Sequence, residues 1–230
     1  MLGLFSVVMR VAVLSSGGKD SCAALWWAMC KGWDVAYLVT VTISGGDSHM
    51  FQVPGVAAVQ YQAQLCGIKW INVASEGIQE LEIDDLQAEL AKLDIDGIVS
   101  GALRSDYQKS RLERMCEKLS IISWTPLWHQ SSQQHMRNLV DNGFGVMLTG
   151  VSTEGMGEEW LGHTLSKDSL TKLEELSKKY RFNVDGEGGE YETLVLHGPH
   201  MNGKLTVDYQ SHWDGVRGHL EFSKIDVVNN

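Results

Sequence analysis

The sequence predicts an α/β fold: a Rossmann-like parallel sheet covered by helices, followed by a second, smaller α+β domain. Three observations predict it. Short β-branched runs alternate with helical patterns through the first half of the chain. A glycine-rich turn joins the first of these runs to an apolar helix. Near residue 124 the texture changes, and a Gly-rich stretch and further strand-like runs follow. Strand–helix alternation implies right-handed crossovers and a parallel sheet buried on both faces.

Residues 10–14 (RVAVL) read as a buried strand. Residues 1–9 are apolar but lack a basic start and a small-residue cleavage site, so they read as an extension of that strand, with Met9 a candidate start. Residues 20–31 form a helix that is apolar nearly all round, stopped by Gly32. Residues 35–43 are the second strand. Pro54 suits the first turn of a helix striped by Val56, Val59, Ala63 and Cys66 and ended by Gly67. Residues 68–73 give a third strand, and Ile83, Leu86, Leu90 and Leu93 mark the next helix. After a strand at 97–103, Ser105 and Gln108 stand in capping-box spacing before a helix with Leu112, Met115, Cys116 and Leu119 on one face. A helix at 133–142 and a strand at 145–151 continue the alternation, which the Gly-rich stretch 150–162 breaks. A polar helix at 167–180 carries Glu174–Lys178 and Glu175–Lys179 at i, i+4 spacing. Strands at 192–196, 204–209 and 216–225 close the chain. The expected division is 1–123 for a nucleotide-binding domain and 124–230 for a substrate domain, with no linker and hence a tight interface.

Composition excludes some functions. With 43% hydrophobic and 21% charged residues over 230 positions, disorder is not the dominant state. Lys plus Arg number 19 against 29 Asp plus Glu, a net charge of −10, which does not suit affinity built on neutralising many phosphates. Direct nucleic-acid binding is therefore not expected, and no run reaches the ~18–20 apolar residues of a membrane span. Cys22, Cys30, Cys66 and Cys116 show no CxxC spacing and lie in helical patterns, as buried thiols in a reducing cytoplasm would.

The sharpest signal is the segment Ser15-Ser16-Gly17-Gly18-Lys19-Asp20-Ser21, between a buried strand and a buried helix. Two glycines let successive N–H groups turn inward as an anion nest, and the helix start adds donors and its positive dipole end. Three serine hydroxyls and the Lys19 charge complete a site suited to pyrophosphate. A Walker A loop is excluded, because Val13 stands where it needs glycine and Asp20 follows the lysine. In parallel sheets ligands bind beyond the strands' carboxyl ends at a switch point, which gathers the loops 15–21, 44–54 and 103–108 at one rim. Ser105, Asp106, Tyr107, Gln108 and Arg111 are thereby candidates to line the site.

At the first of these loops the chain resembles the PP-loop (N-type) ATP pyrophosphatases, whose SGGxDS signature stands here as residues 16–21. The resemblance implies an adenine nucleotide alpha hydrolase-like fold, ATP with Mg²⁺, and adenylation in which Ser15, Ser16, Gly17, Gly18, Lys19, Asp20 and Ser21 hold the nucleotide. Asp20 is the candidate metal ligand. Further segments narrow it: GALRSDYQKSR at 101–111, PLW at 126–128, WLG at 160–162 and GEGGEYET at 186–193. This ordered set, spanning Arg10 to Glu221, resembles the diphthine–ammonia ligase family. The resemblance implies ATP-dependent amidation of diphthine on translation elongation factor 2 through an acyl-adenylate, releasing AMP and pyrophosphate. Lys19, Asp20, Glu187 and Glu190 are the implied catalytic set, and Gly188, Gly189, Tyr191 and Glu192 join the rim residues in binding substrate.

No cysteine follows the initiator Met and none sits in a nucleophile-elbow context, so ammonium is the expected nitrogen source. Glu187, Glu190 and Glu192 are candidates to bind it, the metal or the substrate cation. Trp124, Trp128, Trp160 and Tyr191 are candidates to cradle diphthine's quaternary ammonium, against core packing for each. His49-Met50-Phe51-Gln52 departs from the family's histidine placement in that loop. His129, His135 and His163 lack metal-ligand spacing and are expected at the surface or hydrogen-bonded. Two other functions stay open: a PP-loop enzyme acting on tRNA, and a non-catalytic ATP or AMP sensor. A homodimer is also left open.

Overall fold

A computed structural model describes residues 8–43, 54–76 and 79–229 of the chain. The His49–Gln52 segment lies outside the described residues. In chain order the elements are β1 (Arg10–Leu14), α1 (Lys19–Cys30), β2 (Asp34–Ile43), α2 (Pro54–Cys66), β3 (Lys69–Ser75), α3 (Gln79–Leu90), β4 (Gly97–Val99), α4 (Asp106–Leu119) and β5 (Ile122–Trp124). Then follow α5 (Ser132–Asp141), β6 (Gly145–Val151), a 3₁₀ turn (Glu158–Trp160), α6 (Lys167–Tyr180), β7 (Tyr191–His197), β8 (Lys204–Trp213) and β9 (Gly218–Val228).

The first sheet runs β3-β2-β1-β4-β5 with every pairing parallel. The chain winds outward from β1 to β3, then crosses to β4, so the switch point lies between β1 and β4. Alternation in β1 divides the core: Val11 and Val13 face α1 and α2, whereas Ala12 faces Leu86 and Leu90 of α3 and Leu112 and Met115 of α4. β4 is shorter than its sequence pattern, three residues, and the rest of that run forms the rim loop.

The second sheet has the order β7-β6-β9-β8 and all its pairings are antiparallel. β6 is therefore not the next parallel strand that continued alternation predicts. Its seven residues are all buried, and a strand buried on both faces reads alike in either kind of sheet. One core joins the two sheets: Ala24 and Leu25 of α1 and Ala58 and Val59 of α2 are buried with Val146, Leu148, Leu194 and Val195. The apolar circumference of α1 is explained by that sandwich. Trp26 packs edge-on against Phe144, and Trp27, Trp33 and Trp124 form a contiguous aromatic row.

Three local expectations change. Cys22 and Cys116 are buried, but Cys30, at the end of α1, is exposed. Glu174 does not turn to Lys178: it is buried and takes both oxygens to Arg137 of α5, at 2.8 Å each. Ser105 Oγ accepts the Gln108 N–H as the cap of α4, one of the two bonds of a capping box. Among the described residues no helix is long and apolar enough to cross a membrane.

Candidate functional site

The phosphate loop leaves β1 at Ser15, whose N–H still donates to Val39 O at 2.8 Å. Gly17 has φ +81°, a left-handed conformation that glycine adopts without strain. Its carbonyl accepts from Val195 N of β7 and from Gln62 Nε2 of α2, both at 3.0 Å. Gln62 is buried and also donates to Val195 O at 2.8 Å, so one side chain joins the loop to the second sheet. Helix α1 starts from Gly18, which has no capping side chain; Thr193 Oγ1 of β7 accepts the Lys19 N–H at 3.2 Å instead. The first intrahelical bond is Cys22 N to Gly18 O, so the amides of Asp20 and Ser21 stand ahead of it at the loop. The hydroxyls of Ser15 and Ser21 are buried and bonded to one another at 3.3 Å, while Ser16 is exposed.

Lys19 is 5% exposed, with its ammonium 2.8 Å from Asp20 Oδ2 and 5.7 Å from the centre of the Tyr191 ring. Asp20 Oδ1 lies 2.7 Å from His135 Nε2. Burial alone would raise the Asp20 carboxyl, but the Lys19 charge and the His135 hydrogen bond outweigh it and hold it below the usual carboxylate range. Tyr191 is buried and its hydroxyl donates to Val184 O at 2.5 Å. Burial, and then the carboxylates around it, push its phenol well above the ordinary value.

Beyond the carboxyl ends of β1, β2 and β4 opens a cavity of about 710 Å³, in the range of small-molecule sites. Ser15, Ser16, Asp20 and Ser21 form its phosphate-loop wall, and Val39, Val41, Ile83 and Leu86 an apolar one. Ser105, Tyr107, Gln108 and Arg111 of the expected rim line it, and Glu187 enters from the second domain. Ser100 Oγ, on the same wall, is buried without a hydrogen-bond partner. Gly101 permits this closeness, since a Cβ there would stand 2.6 Å from the Asp20 carbonyl carbon. Burial, and then Asp20, push the Glu187 carboxyl up; for Glu192 burial does the same against the Lys19 charge.

Not every sequence-derived candidate converges here. Glu190 spends Oε1 on the backbone N–H and amide of Asn183, at 2.7 and 3.0 Å, and Oε2 on Gly188 N at 2.7 Å. Both its oxygens are engaged in closing the Gly-rich loop. Asp106, Gly188, Gly189, Tyr191 and Glu192 stand outside the cavity wall. The four aromatic candidates form no cradle: Trp124 belongs to the core row, Trp160 is buried against His163, and Trp128 stacks on His129. Trp124, Trp160 and Tyr191 pack into the core, whereas Trp128 is half-buried, stacked on exposed His129 with the Lys109 ammonium 5.3 Å from its ring centre.

Two residues have partners that the sequence did not name. His135 is hydrogen-bonded, one of the two outcomes expected of it, and its partner is Asp20. Arg104 lies within the rim motif, and its partners come from elsewhere: Asp185 Oδ2 at 2.7 Å, Gln130 O at 2.9 Å and Ser132 Oγ at 2.8 Å. Asp185 is fully buried, so Arg104 neutralises it and ties the rim loop, the start of α5 and the Gly-rich loop together.

Two family models match: the diphthamide synthase N-terminal domain over residues 9–123 and the diphthamide synthase C-terminal domain over residues 131–228. The diphthine–ammonia ligase of Homo sapiens is 33% identical over 224 residues, covering 87% of this chain and 83% of its own. That of Mus musculus is 32% identical with the same coverage. The Schizosaccharomyces pombe protein of that name is 30% identical over 219 residues, 86% of this chain and 36% of the longer relative. Among solved structures, a predicted subunit of tRNA methyltransferase from Methanocaldococcus jannaschii aligns at TM-score 0.45 and 18% identity, over 84% of this chain and 98% of that one. With both domain models matched in order and relatives at this identity across most of the length, the chain belongs to the diphthamide synthase family.

Proposed function

We propose that this chain is an ATP-dependent ligase that amidates the diphthine carboxylate of translation elongation factor 2 with ammonium, forming diphthamide, AMP and pyrophosphate in the cytoplasm. The observation that carries the reading is the cavity itself. Ser15, Ser16, Asp20 and Ser21 of the phosphate loop form one wall, with the Lys19 ammonium 2.8 Å from Asp20, and a carboxylate of the second domain, Glu187, stands on the same cavity.

ATP fits these residues. The apolar wall of Val39, Val41, Ile83 and Leu86 suits a base, and the Ser100 hydroxyl offers an unspent hydrogen bond. The β- and γ-phosphates would meet the loop amides, Ser16 and Lys19, which stabilise charge on the departing pyrophosphate. For Mg²⁺, Asp20 is the wall carboxylate nearest the loop, and Glu187 the second. Among the described residues no group of three or more His, Cys, Asp or Glu forms a metal cage. Mg²⁺ held between one or two carboxylates and substrate phosphates needs none.

The diphthine carboxylate has no proton to lose, so its attack on the α-phosphorus asks for positioning and charge neutralisation rather than a base. Arg111 and Gln108, on the cavity wall, are suited to that alignment. Ammonia then attacks the acyl carbon and AMP leaves. The proton shed by the attacking nitrogen goes to Glu187, whose raised carboxyl is the better matched base.

The deciding experiment supplies ATP, ammonium and purified diphthine-bearing elongation factor. AMP and pyrophosphate should form in equal amounts, dependent on both other substrates. ADP and phosphate as products, or pyrophosphate release indifferent to the elongation factor, would overturn the reading.

A further inference from the structure

We infer that His135 is a positioning residue for this site: its Nε2–H pins one oxygen of Asp20, so that the other alone exchanges between Lys19 and an incoming group. The inference rests on the reading of residues 15–21 as the nucleotide-phosphate site.

His135 is 2% exposed and belongs to the second of the two domain models, whereas Asp20 belongs to the first. The imidazole is brought there by a locked helix start. Ser131 Oγ caps α5 by accepting from Gln134 N, and Arg104 holds Gln130 O and Ser132 Oγ just before and within its first turn. The contact with Asp20 Oδ1 is 2.7 Å. An ionised carboxylate only accepts hydrogen bonds, so Nε2 carries the proton and the tautomer is fixed.

The two oxygens of Asp20 therefore differ. Oδ1 faces a buried ring with nowhere to go. Oδ2 faces the end of a flexible lysine chain, 2.8 Å away. When phosphates enter, Lys19 can move to them and release Oδ2 towards the cavity without rotating the carboxylate. Without the imidazole, Asp20 could turn both oxygens to Lys19 and compete with the phosphates for its charge. The second domain thus completes the phosphate loop through a side chain as well as through strand β7.

The test compares His135→Leu, which removes the donor, with His135→Gln, whose amide can supply one. For the Leu variant, kcat for pyrophosphate release should fall about tenfold and ATP binding, read by calorimetry without turnover, should weaken by a similar factor. The Gln variant should stay within about threefold on both, even if its melting temperature falls further than that of the Leu variant. A purely structural histidine would make activity follow stability instead. Nitrogen-15 NMR of the wild-type imidazole should place the proton on Nε2, a readout that needs no variant to fold. A proton on Nδ1 with bare Nε2, or a Leu variant with wild-type kcat and ATP affinity, overturns the inference. Should the wild type bind ATP but never release pyrophosphate, the ligase reading fails, while the ATP affinities and the tautomer still decide the role of His135.

Discussion

Thr193 Oγ1 accepts the backbone N–H of Lys19 at 3.2 Å, so a strand of the second domain caps the helix that carries the phosphate loop. The residue at the cap position, Gly18, has no side chain to do so. The Lys19 amide is buried, and losing its only side-chain acceptor would leave it unpaired. Thr193→Val is thus expected to cost about 1–2 kcal/mol in urea unfolding, with Thr193→Ser close to wild type. Equal midpoints for the Val and Ser variants would show that the cap is incidental.

Lys19 is wedged between the Asp20 carboxylate and the Tyr191 ring, and its charge is the one cation on the loop itself. Lys19→Met keeps most of the buried stem and removes the charge. The expected result is a loss of about 100-fold or more in kcat with a melting temperature near wild type. Near-normal turnover by a folded Met variant would remove Lys19 from the chemistry.

Glu187 and Glu190 should separate cleanly although they lie three residues apart. Glu187→Gln is expected to lower kcat for amidation about 100-fold while leaving the KM for ATP within about twofold. The sign of the pH effect follows from the raised Glu187 carboxyl: it takes up its proton at a higher pH than an ordinary glutamate, so amidation should fail earlier as pH falls. Glu190→Gln places an amide N–H against a Gly188 or Asn183 donor and should disturb the whole loop, lowering stability and affecting both substrates together. Identical kinetic signatures for the two variants would contradict the division.

Thiol chemistry gives a simpler check on the packing. Burial pushes the Cys66 thiol up to about 12 and the Cys116 thiol up to about 11, and raises that of Cys22 further. Cys30 alone among the four is exposed. Iodoacetamide at neutral pH should label Cys30 first and leave Cys22 unlabelled until the protein unfolds, as read by peptide mass spectrometry.

Much of this architecture was legible because it is local. Four of the five parallel strands, their helices and the phosphate loop each follow from periodicity, a glycine or a cap within a dozen residues, whereas the three-residue β5 is too short to show a period. The direction of β6 was not legible, because a strand buried on both faces carries no mark of its partner's sense. The same limit explains the site. Ser15, Ser21, Gln108 and Glu187 stand on motifs, and the cavity contains them. His135 and Arg104 act through partners 115 and 81 residues away, a separation that no spacing rule spans. Glu190 shows the converse: its motif is legible, but the bonds its oxygens accept from Asn183 N and Gly188 N of its own loop are not.

His200 supplies the clearest prediction about stability and pH. It is 7% exposed, sits beside the Phe144 ring, and neither imidazole nitrogen has a partner. Burial lowers its pKa from 6.5 to about 4. The unfolded chain therefore binds a proton between these values that the folded chain refuses. Stability is intact above pH 6.5, declines as pH falls through that window, and below pH 4 has lost a total of about 3 kcal/mol from this group. His200→Phe removes both the titration and two unsatisfied nitrogens, so it should be neutral or mildly stabilising at pH 7.5. Urea unfolding at pH 7.5 and pH 5 then discriminates: wild type should lose more stability between the two than the Phe variant does, by about 1–2 kcal/mol. Parallel losses in both proteins would mean that the acid limb is set by other groups and that His200 finds a proton acceptor on folding.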